Sequence, residues 1–478
     1  MTVDYHPPCF SQGEVTAVDA ASHSFQLAVE EGFLPPDIAT SPQFNATEVK
    51  LIYWDRATRM MVPQPRSNPW NPTKSKCSGS TCTIVLGTAG NPLPAEGALV
   101  TVGPRIGAGM VVQSWYSSGY RCTNCSKFAT ENVTMHGSGS MAFGEFGGEG
   151  ANVYRGCNVR RRPGSTHLLS SNHDGFHSYA VAAGPTLDNI EIGFCGDDAL
   201  NIHSVFSLVL KKAPAPAANA NGGGGTSVYI VDAGLPDAFS FNARVGDVAQ
   251  FYNVQSVAYA GARTVASIAK VTDRAILQEA HAAMLDINAQ CQGGCGVFNC
   301  SGICGFHYDV NVVWEVRFDE EDTGDGEDNR EEGKTSEAAT AAAAATATAG
   351  RSRGGSLLRP STFGNFDLVQ VKGRSAGGAT IKGCHFHDAY DGVMQFRSSD
   401  AVISHNVFER AHGMSVATAK SWLEGAAGLE NVVVENNVFK TCCSADDGTR
   451  SMQDPRRGTC NPIHFDGCPT CVAKNNTY

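Results

Sequence analysis

The chain has 478 residues, a net charge of −11, only 17% charged residues and 52 glycines. This balance favours an all-β protein with many turns over a helical bundle or a disordered chain. It also disfavours nucleic-acid binding, because neutralising phosphates needs a basic face, and polyanionic substrates are disfavoured for the same reason. No apolar run of about 18 residues predicts a membrane span. The composition leaves the oligomeric state open.

Two stretches have the pattern of antiparallel strands joined by tight turns. Residues 1–105 contain EVTAVDAASHSFQLAV and EVKLIYWDRATRMMV, and residues 226–315 contain TSVYIVDAG, VGDVAQFYNV and ARTVASIAKV. Their period-two alternation predicts β-strands. We interpret them as two inserted antiparallel β-barrel-like segments. The same pattern would also fit two halves of a single barrel.

A six-residue phrase with alternating apolar and polar positions recurs elsewhere in the chain. It is YRGCNV, IKGCHF, ISHNVF and VENNVF, and the step from Phe386 to Phe408 is 22 residues. One short set of strands repeated every 20 to 30 residues is typical of a solenoid. We therefore expect β-helix coils in residues 106–212 and 361–478. The fourth residue of each phrase should stack on its equivalents at a coil corner: Cys157, Cys384, Asn406 and Asn437.

Two segments are of low complexity. Residues 213–225 read APAPAANANGGGG, the composition of a flexible linker. Residues 316–360 combine the acidic run FDEEDTGDGEDNREEGK with an alanine-rich run. Such a segment has too little apolar surface to order itself, so it predicts a disordered insertion.

Two similar phrases, NHDGFHS and GDDALNIHS, carry the chemistry. They place Asp174 and Asp197 23 residues apart, which we interpret as one coil, with Asp174 directly beneath the pair formed by Asp197 and Asp198. Adjacent strands lie about 4.8 Å apart. Three carboxyls that close raise at least one pKa, and glycoside hydrolysis requires one protonated and one ionised carboxyl.

The same dipeptides also occur in ordinary turns. Asp-Gly recurs at Asp391, Asp447 and Asp466 without implied chemistry. Two sites on consecutive coils, each followed by a histidine, favour a functional cluster. We expect those histidines, His177 and His203, to orient carboxylates.

The stretches GSGSMAFGEFGGEGANVYRGCNVRRRP, STHLLSSNHDGFHS and GDDALNIHS resemble family 110 of the glycoside hydrolases, the α-1,3-galactosidases. That resemblance implies a right-handed parallel β-helix of the pectin-lyase-like superfamily with an inserted barrel. It also implies inverting cleavage of terminal α-linked galactose, with no catalytic metal and no cofactor. By resemblance Asp197 is the general acid, and Asp174 and Asp198 activate water, although these labels can be exchanged.

The resemblance also suggests which side chains contact an oligosaccharide or glycan substrate. Glu145 also lies in a family-like phrase and is a further candidate for lining the subsites. The predicted substrate-binding residues are Glu149, Asn172, His177, Asn201, His203, Arg397, Trp422 and Glu424.

Other functions remain open. Polygalacturonases use three aspartates on the same fold, but their Gly-His-Gly and Arg-Ile-Lys motifs are absent from this sequence. A polysaccharide lyase would need a basic catalyst, for which Arg160, Arg161 and Arg162 are candidates, although a basic run is usually a solvated edge. A non-catalytic carbohydrate-binding β-helix is the alternative from another class.

Cysteines and glycosylation sequons bear on localisation. Seventeen cysteines and five sequons favour the secretory pathway or the extracellular space. MTVDYHPPCF contains no signal peptide, so either the protein is not exported or its true start is missing. The cluster CQGGCGVFNCSGICG is more typical of disulfides than of zinc. The Cys122-x-x-Cys125 pair lacks the context of a redox motif. The sequons stand at Asn45, Asn124, Asn132, Asn299 and Asn475.

Overall fold

The protein, represented here by a computed structural model, consists of three parallel β-sheets and two closed β-barrels. It is therefore all-β, as the composition predicts. The part of the chain that the structure describes contains one helix, α1 (Arg274–Gln292), and no helix there is long and apolar enough to cross a bilayer. The described residues are 1–4, 10–37, 48–62, 70–87, 92–104, 119–212, 227–231, 243–253, 259–292, 312–319, 367–390, 392, 394–410, 413–417, 424–425, 429–441 and 462–478.

Three parallel sheets form the body of the protein. Sheet I contains β8 (Tyr120–Thr123), β11 (Phe143–Phe146), β14 (Phe176–Tyr179), β17 (Leu200–Val205), β26 (Met394–Arg397), β29 (Met414–Ala417) and β33 (Ile463–Asp466). Sheet II contains β9 (Ala129–Glu131), β12 (Val153–Arg155), β15 (Thr186–Asp188), β24 (Thr380–Lys382), β27 (Val402–Ser404), β31 (Val433–Glu435) and β34 (Val472–Lys474). Sheet III contains β1 (Thr2–Asp4), β10 (Thr134–Gly137), β13 (Asn158–Val159), β16 (Glu191–Cys195), β25 (His385–Ala389), β28 (Val407–Glu409) and β32 (Val438–Lys440).

The chain passes through sheets I, II and III in turn, and we call each such passage a coil. Strands β14, β15 and β16, for example, belong to sheets I, II and III respectively. Every neighbouring pair along the three sheets is parallel, as in β14 with β17. A short antiparallel strand, β30 (Glu424–Gly425), pairs with the end of β17.

The corner between sheets II and III explains the repeated sequence phrase. Each coil turns there at one residue with positive φ, a conformation that favours Gly and Asn. At six of the seven corners the following residue is buried. The N–H groups of Cys384 and Asn406 donate to the side-chain oxygens of Asn406 and Asn437, both over 2.9 Å. The predicted ladder is confirmed for these three residues. The corner residues are Asn132, Gly156, Asn189, Gly383, His405, Asn436 and Asn475.

Cys157 lies on the same corner but does not contact Cys384. The pairings of Asn158 with Glu191 and of Glu191 with His385 place Ile190 between the two cysteines. All three side chains belong to the apolar core inside the coils. Further along this core, the rings of Phe386, Phe408 and Phe439 stack at centroid distances of 5.4 and 4.8 Å.

Two separate barrels interrupt the coils, so the interpretation as halves of one barrel is wrong. Barrel 1 lies between β1 and β8 and closes in the order β2-β3-β6-β5-β4-β7; barrel 2 lies between β17 and β24 and closes in the order β18-β19-β22-β21-β20-β23. Barrel 1 consists of β2 (Ser11–Asp19), β3 (Ser24–Val29), β4 (Glu48–Trp54), β5 (Trp70–Ser78), β6 (Thr81–Leu86) and β7 (Leu99–Pro104). Barrel 2 consists of β18 (Ser207–Lys212), β19 (Ser227–Val231), β20 (Val248–Tyr252), β21 (Tyr259–Lys270), β22 (Val313–Phe318) and β23 (Leu368–Val371).

The segment boundaries differ in detail from those drawn on the sequence. Residues 2–4 pair with β10 in sheet III, not with barrel 1. Barrel 2 extends beyond 226–315 at both ends, because it closes through β18 and β23. It also includes α1, which the strand pattern did not predict, and β22 covers the first residues of the segment predicted to be disordered. The rest of that segment within 320–360, and residues 213–225, lie outside the described residues.

Candidate functional site

The structure brings the three predicted aspartates together at the N-terminal ends of two central strands of sheet I, β14 and β17. Asp174 lies just before β14, and Asp197 and Asp198 lie just before β17. One carboxylate oxygen of each lies within 4.8 Å of the others. Asp174 and Asp198 are buried, whereas 21% of the Asp197 side chain is exposed.

The alignment of the two coils differs from the sequence prediction by one residue. Phe176 pairs with Leu200, so the coil spacing is 24 residues (200 − 176) and not 23. The N–H of Gly175 donates to the carbonyl oxygen of Asp198 over 2.9 Å. The N–H of Asp198 lies 3.3 Å from Oδ1 of Asp174. Asp174 therefore lies beneath Asp198, and Asp197 lies to one side.

Four of the predicted substrate-binding residues share the outer face of sheet I. Strand side chains alternate between faces, and Phe176, Leu200 and Met394 point into the core. The residues after them therefore point outward. The pairings of β14 with β17 and of β17 with β26 place four of the predicted residues next to one another: His177, Asn201, His203 and Arg397.

The two histidines connect Asp174 to the backbone through a chain of hydrogen bonds. Nδ1 of His203 lies 2.6 Å from the carbonyl oxygen of Ser204, which can only accept, so His203 carries a proton on Nδ1. Burial, together with the charges of His177 and Arg397, lowers the pKa of His203 well below its usual value. His203 is therefore neutral, and its Nε2 accepts the Nε2–H of His177, 3.0 Å away.

This arrangement fixes the number of protons at Asp174. Because Nε2 of His177 donates, its Nδ1 is left to contact Oδ2 of Asp174. One proton must lie at that contact, either as Asp174 carboxylic acid with neutral His177 or as Asp174 carboxylate with imidazolium. The proton can thus move between Oδ2 of Asp174 and Nδ1 of His177 without loss of the hydrogen bond.

Asp197 has a different environment, since a lysine from barrel 1 reaches it. Nζ of Lys50 lies 3.0 Å from Oδ2 of Asp197, and the Lys50 side chain is 2% exposed. Nδ1 of His173 lies 3.8 Å from the same oxygen. Burial would raise the pKa of Asp197, but Lys50 and His173 outweigh it and hold this pKa below its usual range.

Asp198 is paired electrostatically with Arg397. Burial lowers the pKa of the Arg397 guanidinium to about 10, and the charge of Asp198 opposes that shift. The backbone also approaches Asp198 closely at Gly392, where an added Cβ would lie 2.9 Å from Oδ1. A side chain at position 392 would therefore crowd this carboxylate.

Asn172 lies where barrel 1 meets the coils. A Cβ at Gly103, near the end of β7, would lie 2.1 Å from Oδ1 of Asn172. On the other side, Nδ2 of Asn172 lies 3.3 Å from Nε2 of His173. Asn172 thus positions His173 beside Asp197.

The remaining predicted residues are not placed at the aspartates. Glu149 pairs with Arg244 and, over 2.9 Å, with Arg374, at the junction with barrel 2. Glu145 is buried inside the coils, where it accepts hydrogen bonds from Ser178, Asn152 and Tyr154, so its suggested role in a subsite is wrong.

The structure places little of the last two predicted residues. Trp422 lies outside the described residues. For Glu424 the structure describes only the backbone, which pairs with Val205 on β17.

The basic run from Arg160 to Arg162 is not simply a solvated edge. The Arg161 guanidinium lies over the Phe194 ring at 3.6 Å and over the Trp54 ring at 5.0 Å. It also donates to the carbonyl oxygens of Leu168 and Arg59. Arg161 therefore ties barrel 1 to the coils, which its neighbours in sequence gave no reason to expect.

Sequence reasoning also missed Lys50 and His173. In EVKLIYW, Lys50 has the alternation of a solvent-facing strand residue. Nothing in the local pattern indicates that its ammonium group is buried against Asp197, which follows 147 residues later in the chain. The position of His173 directly before Asp174 in NHDGFHS was the available signal.

Comparison with known proteins identifies no relative: no model of a protein family matches the chain, and no curated protein is significantly similar to it. The site must therefore be interpreted from its own geometry. Three carboxylate oxygens within 4.8 Å could share a cation. In this protein the Lys50 ammonium group already lies beside one of the three carboxylates, at Oδ2 of Asp197.

Proposed function

We propose that this chain is a glycoside hydrolase that cleaves terminal α-linked galactose, in the manner of an α-1,3-galactosidase, by an inverting and metal-independent mechanism. The observation that carries the proposal is the convergence of Asp174, Asp197 and Asp198 from two consecutive coils. Their environments differ, because Asp174 shares a proton with His177 while Asp197 is paired with Lys50. Carboxyls held in different protonation states are what acid and base catalysis needs.

The parallel body supports the fold that this function implies. We propose that the coils form a right-handed β-helix of the pectin-lyase-like kind. The regular passage through sheets I, II and III and the stacked corner residues support it. In such a solenoid, residues from consecutive coils form one continuous outer face, which suits an extended sugar chain.

The proposed reaction is a single displacement. One carboxylic acid gives its proton to the glycosidic oxygen as the bond to the anomeric carbon breaks. An opposing carboxylate removes a proton from water as the water oxygen bonds to that carbon. Inverting enzymes usually separate the two carboxyls by about 6.5 to 9.5 Å, and retaining enzymes by about 5 Å. With three carboxylates in the cluster, the 4.8 Å limit on their nearest oxygens does not choose between these outcomes.

The charges around the site favour a neutral sugar over a uronate. A polygalacturonase or lyase must hold a substrate carboxylate with a cation. Here Lys50 is bound to Asp197, and Arg397 is attracted by Asp198. The Lys50 charge is thus already matched by an acidic side chain of the protein, and the Arg397 charge is partly offset by that of Asp198.

The product of a defined substrate tests the proposal. Wild-type protein is incubated with α-1,3-linked galactobiose and followed by proton NMR. We expect galactose to be released and its β-anomer to appear first. Release of the α-anomer first would contradict inversion, and no release from any α-galactoside would contradict the hydrolase.

A non-catalytic carbohydrate-binding module is the alternative function. Asp198→Asn distinguishes it, because this change should abolish hydrolysis by an enzyme while leaving a pure binder with nearly unchanged affinity for galactosides.

We further propose that the protein functions in an oxidising, extracellular or secretory environment. Three disulfides among the described residues support this: Cys77 with Cys82, Cys122 with Cys125 and Cys468 with Cys471. The sequon residues Asn132 and Asn475 lie on exposed coil corners, open to glycosylation. Secretion from eukaryotic cells should therefore yield a protein whose mobility increases after glycan removal.

A further inference from the structure

Lys50 reaches the acidic cluster from a different structural unit. It lies on β4 of barrel 1, while Asp197 precedes β17 of sheet I, yet their side chains are 3.0 Å apart. The ammonium group also lies 5.0 Å from the centre of the Tyr390 ring. A buried ammonium without a matched anion is very costly. The pair therefore forms as a unit when barrel 1 packs on the coils.

Barrel 1 is anchored so that Lys50 is held in place. The side-chain amide of Gln12 donates to the carbonyl oxygen of Thr166 over 2.8 Å, and its oxygen accepts the N–H of Leu168 over 2.9 Å. Arg161 adds hydrogen bonds and ring contacts across the same junction. These contacts hold barrel 1, and with it the Lys50 strand, against the coils.

The groups that face Asp197 determine its charge. Lys50 and His173 favour the carboxylate. The neighbouring carboxyls of Asp174 and Asp198 disfavour a negative charge on Asp197. Tyr390 contacts the backbone of Asp197 with its N–H, which donates to the carbonyl oxygen. The direct contact with Lys50 is the shortest of the charged contacts to the Asp197 side chain. An opposite charge at this distance lowers a carboxyl pKa by about one to three units.

We infer that Lys50 is a positioning residue of the proposed active site, which holds Asp197 as a carboxylate in the resting protein so that the leaving-group proton comes from Asp174 or Asp198. This differs from the general-acid label that the family resemblance gives Asp197. The inference rests on the proposed hydrolase function for its kinetic consequence. It makes barrel 1 a contributor to the site.

The kinetic test compares Lys50→Met, Lys50→Arg and the wild type on an α-galactoside across pH. Lys74→Met, an exposed lysine of the same barrel, is the matched control. We expect Lys50→Met to move the low-pH limb of kcat/KM upward by about one to three pH units. Lys50→Arg should keep the low-pH limb close to its wild-type position, and Lys74→Met should leave that position unchanged. An unshifted profile, or a shift of the high-pH limb instead, overturns the inference.

A stability measurement keeps the inference testable if Lys50→Met is too unstable or if no galactoside is cleaved. Denaturant unfolding is compared for Lys50→Met, Asp197→Asn and the double variant. If the two charges neutralise each other, each single change leaves the other charge buried and unpaired, so the double variant should be more stable than additivity predicts. Strictly additive losses would show that Lys50 does not act through Asp197. An inactive wild type with strong coupling would overturn only the proposed function.

Discussion

The Nε2 atoms of His177 and His203 lie 3.0 Å apart, in a chain of hydrogen bonds that runs from the carbonyl oxygen of Ser204 to Oδ2 of Asp174. Each link fixes the proton on the next ring. The Ser204 carbonyl requires Nδ1–H on His203, which makes Nε2 of His203 an acceptor and leaves Nδ1 of His177 to Asp174. A backbone oxygen thus orients a carboxyl of the proposed active site through two rings.

Replacing His203 should reduce hydrolysis according to what the new side chain can accept. His203→Phe removes the acceptor for His177, and we expect about a fivefold loss of kcat, because one hydrogen bond is worth about 1 kcal/mol and about 1.4 kcal/mol is a tenfold change in rate. His203→Gln offers an oxygen near the position of Nε2 and should lose less. Equal rates for the two variants would show that the acceptor does not matter.

His203 should also make stability depend on pH. Its folded-state pKa is lowered, so the unfolded chain binds a proton that the folded chain does not. This contribution to stability is complete above about pH 6.5 and is lost as the pH falls below it, by at most about 1.4 kcal/mol per pH unit. Denaturant unfolding at pH 7.5 and 5.5 should show a smaller acid loss for His203→Gln than for the wild type. An equal loss would place the effect elsewhere.

Each of the three aspartates should be required for catalysis. Asp174→Asn, Asp197→Asn and Asp198→Asn should each lower the rate at least about a hundredfold, the usual scale for losing an acid or base. Asp188→Asn is the matched control, since Asp188 pairs with Arg155 on sheet II. If all three variants hydrolyse galactosides normally, the cluster is not the active site.

Chelation should leave hydrolysis unchanged, because the proposed mechanism uses carboxylates and water. Lys50 supplies the positive charge beside Asp197. Activity is compared before and after treatment with a chelator and dialysis. Loss of activity that calcium restores would instead indicate a lyase that neutralises a uronate.

The sequence predicted the aspartate cluster because repeats make distant residues neighbours. NHDGFHS and GDDALNIHS lie one coil apart, so the contact between Asp174 and Asp198 follows from the period, with an error of one residue. Lys50 obeys no such period. Its contact depends on how barrel 1 packs on sheet I, which local alternation does not encode. The same holds for Arg161, because the aromatic rings that it contacts, those of Phe194 and Trp54, belong to different structural units.

Deleting the low-complexity segment should have little effect only if β22 is kept. Residues 320–355 offer acidic repulsion and alanine but no apolar periodicity, so their removal should change the thermal midpoint by only a few degrees. Val316 and Phe318 are buried in the core of barrel 2. A deletion that starts at 313 should therefore unfold this barrel. Calorimetry measures the thermal midpoint of both deletion variants. Loss of folding in the variant that lacks only residues 320–355 would show that this segment is structural.

The asparagine ladder should contribute strongly to the stability of the C-terminal coils. Oδ1 of Asn437 accepts from the backbone and side chain of Asn406, and its Nδ2 donates to the carbonyl oxygen of Ile403 over 2.9 Å. Asn437→Ala leaves these buried groups without partners, and each such group costs about 1 to 3 kcal/mol. We expect a total loss of about 2 to 4 kcal/mol by denaturant unfolding. Lys440→Ala, at an exposed site on the next strand, should cost far less. Equal effects of the two changes would mean that water or a shifted backbone replaces the ladder, and that the corner contacts do not hold the coils together.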